Sequence, residues 1–303
     1  MELSPSNESQ NISLNKFESM LKTNNVFFFD SNEFESIIHH YLEIGKIALA
    51  KKAINLGLDQ HPTSINLRLF KVEILIFEND FNAAERLLNS LFQIEPNNEE
   101  LYIQRANIYS KKDQHQKAID TFKEALKIAE DCSEIHSLIG MEYLFMDQYE
   151  DAKTHFIKCV DLDIEDYSSL YNTIYCFEFL DQTKEAIKYL NWYLDQNPYC
   201  EVAWHQLGKQ YLEEKELQKA LTAFDFAVIS DDTFIGAYLE KAKVLERLNR
   251  HEEAIEQYSI SMAIEGATAY TLLKIGYCYE QINKDDQALK FYMKSVEEDP
   301  AFD

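Results

Sequence analysis

The chain has 303 residues, 46% hydrophobic and 27% charged, the balance of a folded protein rather than a disordered one. It carries only 7 Gly and 5 Pro, about 4% together where about 12% is usual, which argues against glycine-looped nucleotide folds and turn-rich β sandwiches and for helices. With 53 acidic against 29 basic side chains the formal charge is −24, so phosphate backbones and anionic lipid surfaces are repelled and neither nucleic acid nor a bare membrane is an expected partner. The chain starts Met1-Glu2-Leu3-Ser4-Pro5, without a basic stretch or an apolar core of a secretion signal, and no run approaches 18 apolar residues. Five cysteines without CxxC spacing fit reduced thiols, and a cytoplasmic location is expected. Residues 1 to about 11 are polar and read as frayed. From Ile12 to Leu21 the spacing of Leu14, Phe17 and Leu21 predicts a short amphipathic helix, followed by the apolar run Val26-Phe27-Phe28-Phe29. Residues 1–30 are therefore expected to form a tail and a segment that caps the rest of the chain; docking of a second chain is the alternative use of those rings.

From residue 31 onward the chain repeats itself every 34 residues. Ala50, Ala84, Ala118, Ala152, Ala186, Ala220, Ala254 and Ala288 keep that spacing without one insertion. Pro62, Pro96, Pro198 and Pro300 each fall twelve residues after one of these alanines. Four residues after each alanine comes a large apolar side chain, in order Ile54, Leu88, Phe122, Phe156, Leu190, Phe224, Tyr258 and Tyr292. The stretch Trp204, Leu207, Gly208, Tyr211, Ala220, Phe224, Ala227 resembles the W-x2-L-G-x2-Y, A-x3-F pattern of the tetratricopeptide repeat. That resemblance implies an all-α, right-handed superhelix of antiparallel helix pairs. Its repeats would span 31–64, 65–98, 99–132, 133–166, 167–200, 201–234, 235–268 and 269–302.

The register has its own physical logic. Positions 4, 7, 8 and 11 of each unit make one stripe of a first helix, and positions 20, 24 and 27 make a stripe on a second. Small residues at position 8 (Ala106, Gly140, Gly208, Ala242, Gly276) and the alanine at 20 allow close approach, with the ring at 24 beyond them. Ile38, Val72 and Ile174 break the pattern at position 8, so their helix pairs are expected to sit wider apart unless neighbours compensate. Position 15, where the first helix must stop, holds Gly45, Asn79, Asp113, Asp147, Asp181, Lys215, Asn249 and Asn283. Most of these tolerate turns and are read as capping the following helix, Asp147 with Glu150 at capping-box spacing; Lys215 is the exception. The chain closes with Asp299-Pro300-Ala301-Phe302-Asp303, a junction into a further repeat rather than a polar cap. A continuation of the natural protein beyond it is expected, or self-association through the uncovered last repeat.

Enzyme signatures are missing: there is no HExxH, GxSxG, Walker loop or GxGxxG, and neither a cofactor nor a catalytic role is expected. Asp161-x-Asp163-x-Glu165 opens like a calcium loop, but Asp166 stands where glycine is needed and Asn172 where the closing glutamate belongs, so a solvated turn is the reading and no metal site is assigned. Cys159 and Cys176 fall on helix stripes as small core hydrophobes, and Cys132 and Cys200 are two repeats apart.

The family resemblance also implies a groove. In such proteins the first helices line a concave wall that takes an extended peptide or a partner's helix, through positions 2, 5, 6, 9, 12 and 13. Those positions correspond to Asn107 and Lys111, then Ser137, Met141 and Phe145, then Tyr171, Asn172, Tyr175 and Phe179, then His205, Gln206 and Lys209. Aromatic rings beside amides suit a peptide, whose backbone needs hydrogen-bond partners and whose side chains need apolar pockets. Packing between neighbouring first helices is the competing use of Phe145 and Phe179. Position 5 holds no lysine in any repeat, which argues against the heat-shock-protein tails bound by carboxylate-clamp members of the family. Glu35, Glu43 and Glu73 make the first two repeats acidic and would steer a basic partner. The expected function is a non-catalytic scaffold for a protein or peptide. The alternatives are an acidic chaperone holding an export or assembly client, or the repeat region of a larger regulatory protein.

Overall fold

A computed structural model describes residues 5–23 and 27–301; Val26, Phe302 and Asp303 lie outside them. Among the described residues every element is a helix. The chain divides into two compact units, one ending at Asp147 and the next starting at Gln148.

The first unit opens with α1 (Pro5–Lys22). It starts seven residues before the amphipathic spacing begins, so much of the polar stretch read as frayed is helical; Pro5 suits a first helical position because its missing N–H has no partner to lose there. The unit continues with α2 (Ser31–Glu43), α3 (Ile47–Gln60), α4 (Ile65–Phe77), α5 (Phe81–Phe92), α6 (Glu99–Lys111), α7 (His115–Ala125) and α8 (Ser133–Phe145). Helix α1 packs on α2, burying Phe17 and Phe29 completely against Phe34 and Tyr41. Ser13 donates to Glu33 at 2.6 Å, and the Lys16 ammonium lies 4.5 Å from the Phe29 ring centre.

The second unit holds α9 (Tyr149–Leu162), α10 (Tyr167–Phe179), α11 (Thr183–Gln196), α12 (Glu201–Glu213), α13 (Leu217–Ser230), α14 (Ile235–Arg247), α15 (His251–Glu265), α16 (Ala269–Gln281) and α17 (Asp285–Glu298). In both units consecutive helices are antiparallel neighbours joined by short turns. The even-numbered helices from α2 to α16 begin at exact 34-residue intervals.

Each first helix ends by the same device. Gly45, Asn79, Asp113, Asp147, Asp181, Lys215, Asn249 and Asn283 all adopt positive φ, between 54° and 68°. In the α2 turn Gly45 N–H donates to Leu42 C=O at 3.0 Å and Lys46 N–H to Tyr41 C=O at 2.8 Å; Lys215 and Glu216 make the same pair of bonds after α12. This is the Schellman arrangement, which satisfies carbonyls the helix end would leave open. Position 15 therefore terminates the preceding helix instead of capping the next one. The N-cap residue is the one after it, Gln148 for α9, so the capping-box reading of Asp147 with Glu150 does not hold.

The alanines at position 20 are buried throughout, with at most 3% exposure. A Cβ added to Gly208 would stand 2.5 to 2.8 Å from the ring of Phe224, and one added to Gly276 would meet Tyr292 at 2.6 Å. Where position 8 is large, position 24 is smaller than a ring: Ile38 with Ile54, Val72 with Leu88, Ile174 with Leu190. All six are buried, so volume is exchanged across the pair and the filled pairs have their compensation in sequence.

Two further positions belong to the core. Positions 3 and 10 are buried in α4 (Leu67, Ile74), α6 (Leu101, Ile108), α14 (Ala237, Val244) and α16 (Thr271, Cys278), a second stripe seven residues apart that serves packing between helix pairs. Position 4 carries polar-tipped side chains that reach back to the proline turn: Arg68 donates to Pro62 C=O at 2.6 Å, Tyr102 to Pro96 at 3.2 Å and Trp204 to Pro198 at 2.8 Å.

The exchange of volume is testable at Gly208. Gly208→Ala gains helix propensity of about 1 kcal/mol but overpacks the Phe224 ring, so a net loss of about 1–2 kcal/mol is expected in urea denaturation followed by circular dichroism. Adding Phe224→Leu should return part of that loss, because it frees room for the added methyl group, a step towards the pairing of Ile174 with Leu190.

Candidate functional site

In the second unit, α10 and α12 lie side by side and enclose an open recess of about 330 Å3 lined by Tyr171, Asn172, Ile174, Tyr175, Glu178, Gln206 and Lys209. Five of the residues expected to line a groove are thereby brought together. Tyr171, Tyr175 and Phe179 recur along one face of α10 and stay about half exposed, at 41%, 43% and 54%. Phe179 does not pack away: it stacks on Tyr149 of α9 with ring centres 4.7 Å apart and a 16° interplanar angle, and touches Tyr175 at 4.6 Å. The three rings of Tyr149, Tyr175 and Phe179 form one continuous aromatic ledge beside the recess.

The polar wall comes from α12. Gln206 is 5% exposed and its Oε1 has no hydrogen-bond partner, although its side chain faces the Tyr171 hydroxyl. A buried acceptor left open costs about 1–3 kcal/mol, which a donor from a ligand would recover. Lys209 lies 3.8 Å from Glu178, and Glu178 also accepts from Gln210 at 2.9 Å. Burial raises the Tyr171 phenol above its ordinary pKa, so the hydroxyl stays neutral and can both donate and accept.

His205 sits differently. Its ring packs between Phe224, at 5.7 Å, and Phe234, at 5.2 Å, with Nε2 close to Gly236 and Nδ1 unpartnered. Burial, reinforced by the Lys209 charge, lowers its pKa to about 4. This histidine is a neutral wall of the helix stack rather than a charged groove contact.

The remaining expected residues lie in the first unit. Asn107 and Lys111 are on α6, Ser137, Met141 and Phe145 on α8; Lys111, Met141 and Phe145 are exposed, and Phe145 lies against His115 at 5.4 Å. Beneath them His115 Nδ1 meets the buried Glu142 carboxylate at 2.7 Å, a pair spacing alone did not single out. A second recess of about 300 Å3 lies between α2, α4 and α6; Glu35 and Glu73 of the acidic first repeats line it, whereas Glu100 and Gln104, at positions 2 and 6 of α6, were not singled out from sequence. In the last two helix pairs charges of opposite sign meet on the first helices: Lys243 lies 2.7 Å from Glu240 and Lys274 3.2 Å from Glu246. Asp163 and Asp166, the calcium-loop near miss, cap the backbone N–H of Glu165 and Ser169.

Family models of the tetratricopeptide repeat match residues 75–141, 133–163, 235–259 and 269–302. The chain is a tetratricopeptide repeat protein. It is 25% identical over 206 residues to anaphase-promoting complex subunit 3 of Schizosaccharomyces pombe, covering 68% of this chain and 31% of that protein. It is 21% identical over 211 residues to the DnaJ homolog subfamily C member 7 homolog of the same organism, covering 66% and 38%. The repeat chain thus spans about a third of the length of these curated relatives. Among solved structures it resembles the C-terminal part of a TPR repeat-containing protein from Cytophaga hutchinsonii, with a TM-score of 0.60 and 18% identity over 77% of this chain and 96% of that one. It also resembles MamA protein, with a TM-score of 0.50 and 21% identity over 57% and 94%. At those identities the likeness is one of fold. No helix among the described residues is long and apolar enough to cross a membrane.

The state of His205 sets a pH dependence. An imidazole near 6.5 in the unfolded chain and about 4 in the folded one binds its proton more readily when unfolded, so its contribution to stability is complete above about 6.5 and declines as pH falls towards 4. Proton NMR of the ring should show a midpoint near 4, and His205→Gln should flatten that stretch of the stability profile.

Proposed function

We propose that this tetratricopeptide repeat protein is a non-catalytic interaction scaffold, read as eight repeats over residues 31–302 behind an N-terminal cap, that binds an extended peptide segment of another protein across its first helices. The observation that carries this reading is the recess between α10 and α12. Half-exposed Tyr171 and Tyr175 stand beside a buried, unpartnered Gln206 Oε1 and the Asn172 amide. Exposed rings offer apolar area at low entropic cost, and an unsatisfied carbonyl oxygen offers a place for a backbone N–H. Phe179 and Tyr149 extend the apolar ledge. The net charge of −24 favours partners that are basic or neutral, with association that slows as salt rises.

Peptides selected on the chain from a random library provide the test. Tyr171→Ala with Tyr175→Ala should weaken those that bind the second unit at least tenfold, about 1.4 kcal/mol, in fluorescence anisotropy, with the helical circular dichroism unchanged. Unaltered affinity would remove these rings from the binding surface.

Self-association is favoured by a separate observation. Leu289, Met293 and Val296 form an exposed apolar stripe along α17, each 57–61% exposed. A second copy would cover it, and light scattering should then show a mass that rises with concentration and returns to the monomer value in Leu289→Glu with Met293→Glu.

A further inference from the structure

The recess of the first unit differs in chemistry from that of the second. Its walls come from α2, α4 and α6, and three of the eight lining residues are glutamates. Glu35, Glu73 and Glu100 present three carboxylates, and none of them is ion-paired with a lysine or arginine among the described residues. Glu35 receives only neutral donors, Ser31 and Asn66, each at 3.2 Å. Glu100 receives only the Gln104 amide, at 2.7 Å.

That last bond decides the orientation of Gln104. Its Nε2 must face the Glu100 carboxylate, because only the amide nitrogen can donate, so its Oε1 is turned away from Glu100. The Gln104 side chain is 8% exposed, lines the recess, and its Oε1 has no partner. Burial raises the pKa of Glu73, the Glu100 charge adding to it and the nearby His39 ring pulling the other way, and burial raises Glu100 as well. Carboxylates with no lysine or arginine partner and an unused buried acceptor meet in one cavity, beside the ring of Phe70, which His39 contacts edge-on at 4.8 Å.

We infer that this recess is the pocket for an arginine side chain of a bound peptide, the guanidinium donating to Glu73, Glu100 and Gln104 Oε1 while its stem lies along Phe70. A guanidinium has five N–H donors in a planar fork and no acceptor, which matches a cavity whose three carboxylates and one open amide oxygen accept from several directions. A carboxylate cluster alone would attract any cation through solvent; one that adjoins a buried, open carbonyl rewards a donor that fills it. The inference rests on the peptide-binding reading and adds the side chain that the first unit selects.

The test uses the intact chain and 12-residue peptides selected on it from a random library, with binding measured by fluorescence anisotropy. Some selected peptides should carry an arginine whose replacement by citrulline, the same shape without the charge, weakens binding at least tenfold on the unaltered protein. Glu73→Gln with Glu100→Gln should produce a comparable loss for the arginine form and little change for the citrulline form. A set of binders of which none carries such an arginine, or whose arginines are all indifferent to the glutamine variants, would overturn this inference and leave the scaffold reading standing. Failure of every peptide to bind would overturn both. Should the double variant fold poorly, the single Glu73→Gln, at an exposed position, keeps the recess itself under test: it should weaken the arginine form and leave the citrulline form little changed, and an equal effect on both would overturn the inference.

Discussion

The structure depends on how closely two helices of a hairpin can approach. Alanine at position 20 is buried in all eight instances, and opposite it the volumes at positions 8 and 24 are exchanged rather than conserved one by one. Gly208 faces Phe224 and Gly276 faces Tyr292 with no room for a methyl group, while Ile174 faces Leu190. Close packing tolerates either arrangement because what must be filled is the space between backbones. A first helix held at this distance turns its positions 5, 6 and 9 away from its own partner, which is what leaves side chains such as Tyr171, Asn172 and Tyr175 available.

The turn after each first helix makes that approach repeatable. Eight residues in the left-handed region end eight helices at the same place, and the two N–H bonds of the Schellman turn reverse the chain without leaving carbonyls open. Lys215 shows that the geometry outranks the residue: its side chain is poorly suited to φ 61°, yet it adopts the same turn as Asn79 and Asp113. The neighbouring pairs impose the conformation, and the local cost is absorbed by the packing of α12 on α13.

On this common frame the two units display different chemistries at equivalent positions. Position 6 is a glutamine in both α6 and α12, and in each case a buried Oε1 is left without a partner. In the second unit the glutamine stands beside tyrosine rings and a lysine; in the first it stands among three glutamates. Repeat scaffolds of this kind hold the backbone constant and vary the side chains that face outward. Glu178, shared between Lys209 and Gln210, keeps the second recess near neutral, whereas the first has no lysine or arginine in its walls.

The helix pairs were legible in the amino-acid sequence because their determinants are short-range: an alanine and a ring four residues apart, a turn former at a fixed offset and a proline after it all lie within one 34-residue period. The second core stripe at positions 3 and 10 was legible at Cys176 but not throughout, since Ser169 and Gln210 do not look like core residues until a neighbouring helix covers them. The groove was legible only as a set of outward positions. Whether those positions form a recess depends on which side chains from helices 34 residues apart come together. Tertiary structure alone decided that Tyr171, Tyr175 and Gln206 share a cavity and that His205 is held neutral between two phenylalanines. It alone decided that Gln104 spends its amide nitrogen on Glu100 and leaves its oxygen open. Periodicity reports which way a side chain leaves its helix; burial, hydrogen bonding and charge are properties of what it then meets.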